Sequence, residues 1–134
     1  MRARALLVVS AILAWFFGLM LLFNTRAFEA PVGIVVTDKV ATMAQAQGAI
    51  LLGLGLINWL SRSVADVRAL RAVLAGNLVV QLASLAVALR ALLLGIFPIQ
   101  GAPAVAIHVI LGGAFALYLL RLPRAEAAAA AGAT

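Results

Sequence analysis

Four long apolar stretches, joined by three short and more polar connections, fill the chain between residues 5 and 120. They run over residues 5–23 and about 39–60, 69–95 and 104–120. A hydrocarbon layer about 30 Å thick is crossed by about 20 apolar residues rising about 1.5 Å each in a helix. Each stretch is about that length, and short connections make neighbours antiparallel. The pattern predicts an all-α membrane protein, an antiparallel four-transmembrane-helix bundle within residues 1–122. The alanine-rich remainder, 123–134, reads as a low-complexity tail on the cytoplasmic side.

The connections carry the helix punctuation. In the first, 24–38, Pro31 and Gly33 interrupt helix continuity, and Thr37 stands where an N-cap is expected. The second is a short polar turn over 61–68, and Pro98 to Pro103 reads as a tight third turn. Arg2 and Arg4 ahead of the first stretch resemble the start of a signal peptide, whose apolar core is about 7–15 residues. This run has 19 residues, and Pro31 follows the nearest small-residue cleavage candidate, Ala30, so a retained membrane helix is expected.

Charge fixes an expected orientation. Arg2, Arg4, Arg62, Arg68, Arg71, Arg121 and Arg124 fall on the side of the termini, against Arg26, Lys39 and Arg90 on the other, where Glu29 and Asp38 oppose them. Positive residues are retained in the cytoplasm, so both termini are expected there. Trp59 and Tyr118 then fall at the cytoplasmic interface, where amphipathic rings are favoured.

Composition narrows the function classes. The chain is 66% hydrophobic and 10% charged with mean hydropathy +1.20, far from the roughly 45–50% and 25% of soluble domains. The net charge of +6 does not indicate nucleic acid, because the basic residues punctuate helix ends rather than cover a solvated face. Without cysteine there is no disulfide, dithiol redox pair or thiolate metal site. One histidine excludes bis-histidine haem and leaves too few ligands for a metal centre. No Asp or Glu lies inside a span, which argues against a proton-coupled exporter. No cofactor is expected. Nine arginines against one lysine, with abundant alanine, suit a GC-rich bacterial coding sequence and hence a bacterial inner membrane.

Candidate chemistry is confined to a few polar residues within the spans. At about 1.5 Å per residue, Arg90, His108, Gln45 and Gln47 fall at one depth near the outer ends of three helices. They form a candidate outer polar layer, with Glu29 or Asp38 as counter-ions, suited to a lipid headgroup or a polar-tipped hydrophobic molecule. The structural alternative has Arg90 snorkelling to the interface and the glutamines bridging helices. Asn77, Gln81 and Ser84 form a second stripe at i, i+4, i+7, roughly opposite Arg90 on its helix and best read as interhelical hydrogen bonding. Small residues at Ala44/Gly48, Ala49/Gly53 and Gly112/Ala116 suit close helix approach, within one chain or between copies. Trp15, Phe16 and Phe17 near the middle of the first span read as packing.

With its short loops, a second helix ending INWLSR, an Arg-flanked third helix and HVILGGAFALYLLR in the fourth, the chain resembles the small bacterial four-helix membrane proteins grouped as DoxX-like and related families. The likeness covers most of residues 1–122. It implies the same four-helix fold; those families are largely without assigned activity. One member is linked to quinone-coupled thiosulfate oxidation, and no residue here carries that role over. The leading expectation is a non-catalytic membrane protein binding a lipid-like molecule or a protein partner, itself a homo-oligomer candidate. The alternatives are an accessory subunit of a membrane oxidoreductase or transporter, and a membrane-embedded enzyme using His108 with Arg90.

Overall fold

A computed structural model describes residues 3–122; the tail expected over 123–134 lies outside the described residues. Capping residues set the helix boundaries. Helix α1 (Ala3–Phe23) gives way at Asn24 to a short helix α2 (Thr25–Glu29) and a 3-10 turn at Ala30–Val32. Gly33 closes that turn with φ 74°, a conformation open to glycine without strain. Helix α3 (Asp38–Ser61) starts on Thr37, whose hydroxyl accepts from the Val40 amide at 3.3 Å.

Helix α4 (Val67–Leu93) begins ahead of the apolar run that starts near Ala69, because Asp66 caps it and accepts from the Ala69 amide at 2.6 Å. It ends before Gly95, which turns the chain at φ 68°. The Ile96 amide returns to the Ala91 carbonyl at 2.9 Å and the Gly95 amide to Leu92 at 3.1 Å, a Schellman stop. A 3-10 turn at Ile99–Gly101 leads into α5 (Ala102–Arg121). Pro103, expected in the connection, stands in the first turn of α5, where a missing amide hydrogen costs nothing.

Helices α1, α3, α4 and α5 are long and apolar enough to cross a membrane, and together they form an all-α antiparallel four-helix bundle. Ile12, Met43, Ile50, Val79, Val87 and Leu120 point outward, a surface that suits hydrocarbon and that water would drive to aggregate. α1 lies along α3, and α4 along α5. The two pairs close on each other at the end bearing the chain termini, where Leu6, Leu7, Leu74, Leu111 and Phe115 make the buried core. Toward the opposite, distal end the long helices leave a space between them, and the first connection meets the turn before α5 there, Gly33 beside Pro98.

Candidate functional site

The space between the pairs is a cavity of about 650 Å³ bordered by every long helix. Each helix contributes one face at helical spacing. On α3 these are Gln47, Leu51, Leu54 and Asn58; on α4, Asn77, Val80, Gln81 and Ser84; on α5, Ile107, His108 and Leu111. α1 adds Ser10, Leu13, Phe17 and Leu21. The wall is therefore mostly apolar, with polar groups spread along it from Ser10, Asn58 and Asn77 toward the closed end to Gln47, Glu29 and Gln100 toward the distal one.

Two hydrogen-bonded pairs cross that wall. Asn58 and Asn77 exchange side-chain amide bonds at 2.9 and 2.7 Å, joining α3 to α4, and Asn77 Nδ2 also donates to the Val73 carbonyl at 2.9 Å. Both residues are buried, so the reciprocal pairing answers what would otherwise be a large desolvation cost. One turn further along α4, Gln81 Oε1 and His108 Nδ1 lie 2.7 Å apart, joining α4 to α5. With the glutamine oxygen accepting, Nδ1 carries the hydrogen, and Nε2 of the neutral ring is left as an acceptor.

Ser10 is the exception to this satisfaction. A helical serine or threonine ordinarily returns its hydroxyl to the carbonyl one turn back, as Thr25 does to Leu21. Ser10 is 5% exposed, and its Oγ has no partner. A buried, unanswered hydroxyl on a cavity wall marks where a ligand's polar atom would be stabilised.

At the distal rim the wall is formed by the first connection and the turn before α5, including Phe28, Glu29, Pro31, Ile34 and Phe97. Phe28 meets Phe17 edge to face at 5.8 Å between ring centroids. Glu29 is half-buried, and burial raises its carboxyl above the ordinary value of 4.5. Arg26 on the same short helix turns away, to Asp38 at 2.6 Å and the Val36 carbonyl at 3.0 Å, both on the exposed side.

The depth-matched residues do not converge. Gln47 and His108 border the cavity, but Arg90 is exposed in the last turn of α4 and away from the wall. Nine residues separate it from Gln81, which at about 100° per residue puts it on the opposite face. Gln45, two residues from Gln47, falls on the far side of α3 beside a smaller recess of about 280 Å³ with Asn24, Thr25 and Arg26. The stripe of Asn77, Gln81 and Ser84 lies wholly on the cavity wall. Of the two acidic residues considered as counter-ions, Asp38 is bound to Arg26 and Glu29 faces the cavity.

Sequence reasoning passed over Ser10 and Asn58. Asn58 stands eleven residues after Gln47, three helical turns on the same face, a signal present in the sequence. Ser10 had no such signal, because a single serine in an apolar helix is ordinarily self-satisfied. Among the described residues no group of three or more His, Cys, Asp or Glu is placed to hold a metal ion. The site as built offers neutral donors and acceptors at depth and one carboxylate at the rim. Compared with protein-family models, curated proteins and solved structures, the chain matches none.

Proposed function

We propose that this is a non-catalytic multi-pass protein of a bacterial inner membrane, with both termini cytoplasmic, that holds a lipid-like molecule in the cavity between its two helix pairs. The observation carrying this reading is the unanswered Ser10 hydroxyl on the wall of a mostly apolar cavity of about 650 Å³. That volume suits a ligand pocket, and a mostly apolar lining with a few convergent polar groups is how such pockets orient their contents. In this reading an oxygen of the ligand accepts from Ser10 or donates to His108 Nε2, and its apolar body runs along Leu13, Phe17 and Leu51 toward the distal rim. The seven basic residues on the side of the termini support the orientation, and the arginine-rich composition supports the source.

His108 is a hydrogen-bonding group here. Gln81 holds it, and among the described residues no carboxylate is hydrogen-bonded to its ring. The test is native mass spectrometry of the protein extracted in mild detergent from its bacterial membrane. A bound small molecule is expected with wild type, and is lost or reduced in Ser10→Ala and in the cavity-filling Ser84→Phe. Identical spectra from wild type and Ser84→Phe would overturn the reading.

A further inference from the structure

We infer that the occupant is an amphiphile with two polar ends, a hydrogen-bonding oxygen at the closed end and a protonated amine at the rim against Glu29, so that the site excludes anionic lipids. The inference rests on the lipid-binding reading and adds the charge class of the ligand.

Among the described residues of the wall, Glu29 is the one formally charged side chain. The Glu29 side chain makes no ion pair or hydrogen bond among the described residues, although a guanidinium stands three positions before it. That guanidinium is spent on Asp38 and Val36 at the exposed surface. Lys39 and Arg90, the remaining cations toward the distal end, are exposed and border no part of the cavity. The distal part of the wall that holds the carboxylate is otherwise lined mostly by apolar residues, Phe28, Pro31, Ile34 and Phe97, with the neutral Gln100. A half-buried carboxylate in apolar surroundings is stabilised as the anion by a cation brought to it, and burial alone raises its proton affinity.

The rest of the chain makes this rim unexpected. The net charge of +6 attracts anions over most of the surface, yet an anionic headgroup entering the cavity meets a carboxylate and no cation. The interior below is neutral, so an amine is stabilised only at the rim. The oxygen must then lie deeper, at Ser10 toward the closed end, with His108, six residues into α5 from its distal end, between the two. From Ser10 to Leu21 along the α1 wall is about 16 Å of helix rise, near the reach of a chain of about twelve carbons.

Three probes of that length test this, each with a hydroxyl at one end and an amine, a hydroxyl or a carboxylate at the other. Binding to the full chain in nonionic detergent is read by native mass spectrometry at neutral pH. The amino alcohol is expected to bind roughly tenfold tighter than the diol, the gap of a single charge-assisted contact, with the hydroxy acid weakest. Glu29→Gln, in a connection outside the helix core, should abolish the gap between amine and diol while diol binding persists. Ser10→Ala should weaken all three alike. Equal binding of amine and diol to wild type, or tightest binding of the hydroxy acid, would overturn the charge assignment and leave lipid binding standing. If none of the three binds, or Ser84→Phe retains them undiminished, the lipid-binding reading fails and the inference falls with it.

Discussion

The α1–α3 seam and the α4–α5 seam join helices of similar length and composition by different means. Between α1 and α3 the fit is steric. A methyl group added at Gly48 would sit 2.7 Å from the Gly18 carbonyl oxygen and 2.9 Å from the Leu22 amide, and one added at Gly55 would sit 2.5 Å from the Trp15 indole. Trp15 in turn packs against Trp59 with ring centroids 5.5 Å apart and planes tilted by 46°, and the Arg62 guanidinium lies 4.1 Å over the Trp59 ring. Between α4 and α5 there is no such backbone approach. Gly112 faces only the Gln81 Cβ, at an ordinary 3.4 Å, and the seam is held by Leu74, Leu111 and Phe115, the Gln81–His108 bond, and Arg71 donating to the Leu122 carbonyl at 3.0 Å.

The contrast has a cause in the solvent. Lipid gives no hydrophobic drive between helices, so association comes from close packing or from polar groups that hydrocarbon cannot answer. One seam uses each. The Gln81–His108 bond also lies on the cavity wall, so side chains that hold α4 to α5 border whatever lies between the pairs.

The largest expected effect comes from breaking the steric seam. Gly48→Val places its side chain against backbone that has no rotamer to yield, and separating the helices loses packing along both; a loss of about 2–4 kcal/mol is expected. Gly53→Ala on the same helix has open space around it and should be neutral or slightly stabilising, by up to about 1 kcal/mol. Thermal unfolding of both variants in one detergent measures the difference. Equal stability for the two would mean that α1 and α3 do not approach at Gly48.

How much of this was legible beforehand differs between the seams in the same way. The small residue at Gly48 stood out, but periodicity names a face and not its neighbour, and Gly53, in the same kind of pair, faces open space. The Gly55 contact was hidden because its partner is the large, distant Trp15 rather than another small residue. On the polar side, depth alone grouped Arg90 and Gln45 with His108 and Gln47. Rotation about each helix separates them, and the 100° step between residues held that information. Fold class followed directly from span length, because hydrocarbon permits so few alternatives. The caps at Asp66 and Pro103 moved boundaries by a turn or less, since capping depends on side-chain geometry that hydropathy does not register.

A smaller effect is expected where α3 meets α4. Asn58→Leu leaves the Asn77 amide buried and half-answered, at a cost of about 1–3 kcal/mol, and Asn77→Leu does the same to Asn58. The double variant removes both orphans and should recover most of either loss, giving a coupling energy that neither single change predicts. Additive losses would show that the two amides do not answer each other.

The smallest effect should come from the α4–α5 bond itself. Gln81→Leu and His108→Phe each remove one partner of a bond in a bundle whose other α4–α5 contacts, Leu74 and Phe115 above all, stay in place. Interhelical hydrogen bonds in membrane proteins average about 0.6 kcal/mol with a maximum near 1.7, because the separated helices find other partners. The loss should therefore stay below that of Gly48→Val in the same unfolding assay, and the double variant should cost little more than the worse single one. A loss from Gln81→Leu as large as that from Gly48→Val would erase the distinction between the seams, and would make the hydrogen bond the element on which the α4–α5 pair depends.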